Sequence, residues 1–109
     1  KEASAALTQF MIAFPDSSLS DNAQYWLAET HYVSQAYDKA LPAFTLVVDK
    51  YPKSRKIPDA LLKIGYCNYE LKRFDAARKS LQAVVANYPE TTAARLAGQR
   101  LERMTSEGL

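Results

Sequence analysis

The sequence predicts an all-α fold, an α-solenoid of stacked helix pairs, on two observations. The stretch from Asn22 to Ser54, NAQYWLAETHYVSQAYDKALPAFTLVVDKYPKS, returns 37 residues later, from Asp59 to Thr91, as DALLKIGYCNYELKRFDAARKSLQAVVANYPET. Sliding by 37 pairs Ala23 with Ala60, Leu27 with Ile64, Ala28 with Gly65, Tyr32 with Tyr69, Phe44 with Leu81 and Tyr51-Pro52 with Tyr88-Pro89. Self-similarity at such a period marks a helical repeat array, in which each unit buries its apolar face against its neighbours. Apolar residues also recur at helical spacing within each unit, and only 3 of the 109 residues are Gly, too few for a turn-rich β protein.

One domain is expected over 1–109, with six helices in order. The register reaches backwards, setting Phe14-Pro15 on Tyr51-Pro52 and Met11 on Val48, so 1–14 reads as the second helix of a pair whose first helix is missing. The sequence is on this reading a piece of a longer protein. Ala3, Leu7, Phe10, Met11 and Phe14 form an apolar stripe without a partner helix, which would favour self-association.

The next pair occupies 21–54, with helices near 21–34 and 38–51. The following pair occupies 58–91, with helices near 58–71 and 75–88. Asp21 or Asn22, then Asp38, Asp59 and Asp75, are expected to cap these helices, where a short carboxylate accepts orphan N–H groups and complements the helix dipole. Pro58 suits a first turn, and Pro42 lies about one turn past Asp38, where a missing donor costs little. The Tyr-Pro and Phe-Pro pairs end the second helices, because a residue before Pro resists the αR conformation. A terminal helix near 91–104 caps the array, with Leu96, Leu101 and Met104 inward and Arg95, Arg100, Glu102 and Arg103 largely toward water.

Hydrophobic residues make up 48% of the chain and charged ones 24%, an ordinary globular composition. A net charge of +2 gives no reason to expect a nucleic-acid partner. The charge is uneven: four Lys/Arg stand against six Asp/Glu up to residue 54, and ten against six beyond it. Lys72, Arg73, Arg78 and Lys79 form the densest basic group, read as a solvated face. With no apolar run of 18 residues, membrane insertion is not expected, and no signal peptide is visible.

Nothing points to catalysis, a cofactor or a metal. His31 is the lone histidine and Cys67 the lone cysteine, whereas a zinc site needs three or four ligands. Both fall on expected packing faces, and no Gly-rich phosphate loop is present.

The repeats resemble tetratricopeptide repeats. They carry the small residues of the first helix (Ala28, Gly65) after an apolar one (Leu27, Ile64), the small residues early in the second (Ala40, Ala77) and the closing prolines (Pro52, Pro89). The resemblance implies a right-handed superhelix. Turns such as KSRKIP are three residues longer than the usual form. NAQYWLAE and YPKSRKIPDALLKIG are similar to the C-terminal domain of the YbgF/CpoB family, from about Ala6 to Met104. That similarity implies a periplasmic module of the Gram-negative Tol–Pal system. It implies binding to TolA, with peptidoglycan-synthesis proteins as further partners, and a role in coordinating wall synthesis with envelope constriction at division. Full-length members are trimers through a coiled coil absent from this sequence. The alternative is an outer-membrane assembly scaffold of BamD type.

In such arrays the first helices line the partner groove. At about 100° per residue, Asn22, Tyr25, Trp26, Glu29 and Tyr32 share one side of their helix. Asp59, Leu62, Lys63, Tyr66, Tyr69 and Glu70 do so one repeat later. The expected groove is therefore aromatic and acidic, suited to a basic or amphipathic partner. The alternative is that the aromatics pack between neighbouring helices.

Overall fold

The computed structural model describes residues 2–13 and 19–109, and within them it shows six α-helices and no strand. They are α1 (Glu2–Ala13), α2 (Ser20–Val33), α3 (Tyr37–Lys50), α4 (Ile57–Glu70), α5 (Phe74–Asn87) and α6 (Thr92–Ser106). Each helix packs chiefly on its neighbour in sequence, and α4 also packs on α6. The result is an elongated stack of 45 × 27 × 18 Å, as an α-solenoid of helix pairs requires. The Phe14-Pro15 stop expected after α1, and the side chains of Ala3, Met11 and Phe14, lie outside the described residues.

Two apolar clusters hold the stack. Tyr25, Ala28, Ala40, Phe44, Val47, Ala60 and Cys67 join α2, α3 and α4. Leu62, Ala77, Leu81, Val84, Ala93, Ala94, Ala97 and Met104 join α4, α5 and α6. Small residues let the helices approach, and one large residue fills each gap. Phe44 and Leu81, at the same repeat position, are both fully buried. The buried Gln24 amide is satisfied by donating to the Ala43 carbonyl at 2.8 Å, which ties α2 to α3.

The helix ends differ from expectation in one respect. Helices α2 to α5 start one residue earlier than the sequence suggested, which moves the four aspartates into the first turn. The cap positions fall on Leu19, Ala36, Lys56 and Arg73, and none of these caps through its side chain. The carboxylates at Asp21, Asp38, Asp59 and Asp75 still favour the dipole from within the turn. Thr91 is a true cap: its hydroxyl accepts the Ala94 N–H at 3.1 Å. Pro42 lies in the sixth position of α3, beyond the turn where a missing N–H is free, so the Asp38 carbonyl loses its helical donor on the exposed side. The pre-proline residues Tyr51 and Tyr88 leave the helical region at φ −126° and −133°.

The turns within the two pairs are built alike. The Ala36 N–H donates to the His31 carbonyl and Gln35 N–H to the Tyr32 carbonyl. Arg73 and Lys72 repeat both bonds on Asn68 and Tyr69. This is the Schellman closure, which needs a left-handed residue after the cap. Gln35 (φ 63°) and Lys72 (φ 64°) take that conformation without being glycine.

Candidate functional site: an aromatic face with cations between its rings

The turn between the pairs positions the first cation. The Asp21 carboxylate accepts a hydrogen bond from the Ser54 hydroxyl, which itself accepts the Lys56 N–H at 3.0 Å. Held there, Lys56 places its Nζ 4.8 Å from the centre of the Tyr25 ring and 5.0 Å from that of Trp26. The two rings meet edge-on at 5.2 Å, and Tyr25 meets Phe44 the same way at 5.4 Å.

The pattern continues along α4 and α6. Lys63 of α4 lies 4.3 Å over the Tyr32 ring of α2 and 3.5 Å from the Glu29 carboxylate. Arg100 of α6 lies 4.3 Å over Tyr66 and 4.9 Å over Tyr69 of α4. Arg100 stands 37 residues after Lys63, and Tyr66 and Tyr69 stand 37 residues after Glu29 and Tyr32. Each cation therefore covers equivalent positions on the preceding first helix. Arg103 adds a third contact, 5.6 Å over Tyr69, and bonds the Glu107 carboxylate, which also accepts the Tyr69 hydroxyl at 2.6 Å. Cation–π contacts of this kind contribute about 0.5–1 kcal/mol at exposed sites, so they order side chains more than they stabilise the fold.

The phenols stay neutral. Burial, aided by Glu29 and Asp59, pushes Tyr25 well above its usual value. Burial, with a smaller push from Tyr37, takes Tyr32 to about 12. Burial raises Tyr66 against the opposing pull of Arg100. Tyr69 is raised first by its hydrogen bond to Glu107, and the same bond lowers Glu107. Each phenol thus keeps its proton at neutral pH, and its ring face carries a cation.

Most of the expected groove residues do meet on this face, and two do not. Asn22 and Trp26 are exposed, and Asp59, Tyr66 and Tyr69 are half-buried with Glu29 and Tyr32. Trp26 and Asn22 border a 280 Å³ apolar hollow with Leu7, Phe10 and Leu19. Tyr25 and Leu62, however, are only 6% and 4% exposed and belong to the core clusters. They are one repeat position, and the side chain there turns into the gap between helices, where Tyr25 meets Phe44 and Leu62 joins the cluster of Leu81. The face is also less acidic than expected. Lys63 pairs with Glu29, and Arg100 and Arg103, which the sequence set toward water, stand beside Tyr66 and Tyr69. Carrying the 37-residue register one step further, from Lys63 to Arg100, is the signal that would have placed them.

Cys67 is fully buried, and burial pushes its thiol from 9.0 up to about 12, the opposite of an activated nucleophile. Among the described residues no three His, Cys, Asp or Glu side chains gather as metal ligands, and no helix is long and apolar enough to cross a membrane.

Two family models, each described as a tetratricopeptide repeat, match the chain, one over residues 1–55 and the other over residues 59–91. The first alone spans just over half of the sequence. No curated protein matches it.

Proposed function

The chain belongs to the tetratricopeptide repeat family, and from that premise we propose that it is a periplasmic docking module of the Tol–Pal system, binding TolA on the aromatic face of α2, α4 and α6. Tetratricopeptide repeats are protein–protein interaction modules, and the solenoid supplies the rigid surface such a module needs. The observation that carries the choice of face is the row of half-exposed rings, Trp26, Tyr32, Tyr66 and Tyr69, each covered by a cation. Rings held this way lose little freedom when a partner arrives, and Tyr, Trp and Arg dominate the energetics of interfaces. The Tol–Pal assignment is supported by the motifs NAQYWLAE and YPKSRKIPDALLKIG. It places the module where wall synthesis is coordinated with envelope constriction, with peptidoglycan-synthesis proteins as additional partners.

The test is a titration with the periplasmic segments of TolA, followed through Trp26, the one tryptophan of the chain. A Tyr66→Ala/Tyr69→Ala variant, checked for intact helix content, should bind at least about tenfold more weakly, a loss of about 1.4 kcal/mol. Tyr25→Ala is unsuitable, because it empties part of the core. Undiminished binding by the double variant would move the docking surface elsewhere. Absence of binding to the intact protein would remove TolA from the assignment.

A further inference from the structure

Beside Tyr66 the face is indented by a 190 Å³ notch, lined by Leu96, Gln99, Arg100 and Arg103 of α6. We propose that this notch receives a side-chain carboxylate from an acidic segment of the protein partner, with Arg100 as its principal ligand. The inference rests on the docking reading above and adds the chemistry of the partner.

Three observations carry it. Arg100 is half-buried and lies over two tyrosine rings, yet among the described residues it forms no ion pair. A guanidinium presents a planar fork of N–H donors that matches a carboxylate. Next to it the protein already holds a carboxylate of its own. Glu107 accepts the Tyr69 hydroxyl at 2.6 Å and lies 3.3 Å from Arg103 Nε. The local chemistry therefore suits such a group: Glu107 bonds Arg103 and Tyr69 and feels the Arg100 charge without forming an ion pair with it. Finally, the notch sits in the half of the chain where ten Lys/Arg face six Asp/Glu, so long-range attraction favours an anionic segment. Leu96 forms an apolar wall, and the Gln99 amide offers a further donor. The acceptable ligand is thus a Glu or Asp next to an apolar residue.

The probes are three peptides of equal length with blocked termini, alternating Leu with Glu, Leu with Gln, or Leu with Lys. A fourth carries the Gln sequence with a free C-terminal carboxylate. Binding is read from the backbone and side-chain amide signals of Gln99 and the Nε–H signal of Arg100 by NMR titration. Saturable shifts at Gln99 and Arg100 with the Glu peptide alone, weakening as salt is raised, are expected. Arg100→Ala should reduce that affinity about tenfold and Arg100→Lys several-fold, since the ammonium keeps the charge but not the fork. Both variants should retain helix content and melting temperature within a few degrees. Equal binding of the Gln or Lys peptide, no binding of the Glu peptide, binding only by the free C-terminal carboxylate, or an unaffected Arg100→Ala would each overturn the assignment. The docking reading fails separately. If the TolA segments bind Arg100→Ala as tightly as the intact protein, the notch falls and docking stands. If only the Glu peptide binds, the notch stands and the partner's identity falls.

Discussion

A Cβ placed on Gly65 would stand 2.7 Å from Leu81 Cδ2 and 2.8 Å from its Cγ. At the same position of the preceding pair Ala28 packs with Phe44, and both are fully buried. The two pairs thus solve one packing problem with different residues: on Gly65 the space of a side chain is taken by Leu81, while the nearest α5 backbone atom, Ala77 O, would lie at an ordinary 3.5 Å.

Gly65→Ala should consequently destabilise the protein. Over-packing costs about 1–3 kcal/mol, and the better helix propensity of Ala returns at most about 1 kcal/mol. Leu81→Ala should cost about 2–5 kcal/mol through the cavity it leaves. Urea unfolding of the double variant should show less loss than the sum of the singles, because removing Leu81 Cγ frees the space the new methyl needs. Strict additivity would refute the clash.

The left-handed turns at Gln35 and Lys72 make a prediction of opposite sign. A non-glycine residue in this conformation costs about 1–2 kcal/mol. Gln35→Gly and Lys72→Gly should each raise stability, by somewhat less than this because the glycine chain is freer when unfolded. Thermal melts of both variants check it, and a drop in either would mean that the replaced side chain contributes more than its strain.

Thr91→Ala should cost about 1 kcal/mol, the usual loss for an N-cap hydroxyl. Hydrogen exchange should show the effect first at Ala94, whose amide loses its acceptor.

Stability should decline in alkali. Cys67 is raised from 9.0 to about 12 and Tyr32 from 10.0 to about 12, both chiefly by burial. The folded state therefore keeps these protons where the unfolded chain releases them. With fewer protons bound in the unfolded state, unfolding becomes easier as pH rises. The contribution is intact below pH 9.0 and is lost through about 12. Urea midpoints measured across that window should fall steadily, and Cys67 should resist a thiol reagent at neutral pH until the chain is unfolded. A flat stability profile, or rapid labelling of native protein, would contradict the burial.

Much of this fold is written in the 37-residue register. Pairing Ala28 with Gly65, Phe44 with Leu81 and Tyr51-Pro52 with Tyr88-Pro89 marks helices, close approaches and stops, because each is a local steric requirement that recurs with the repeat. The helix starts differ from the expectation by one residue because Asp21, Asp38, Asp59 and Asp75 favour a first turn as well as a cap, and sequence does not separate the two. Tyr25 and Leu62 leave the expected face for another reason. The angle about the helix does not separate Tyr25 from Tyr32, and the gap to α3 or α5 takes the side chain of Tyr25 or Leu62 instead. The place of the α6 cations is not legible from α6 alone, where charges on a terminal helix suit water: Tyr66 and Tyr69 of α4 provide the two ring faces that Arg100 covers.

The helix order has a kinetic consequence. Most of the packing joins each helix to the one before or after it, and the rest joins first helices one repeat apart, α2 with α4 and α4 with α6. Short loops close quickly, so structure can begin at either pair and spread outward without waiting for distant parts of the chain to meet. Unfolding should follow the same map in reverse, with the ends fraying first and amide protection rising toward α3 and α4. A partner that spans α2, α4 and α6 would staple neighbouring units together, and it would slow that fraying along the whole array.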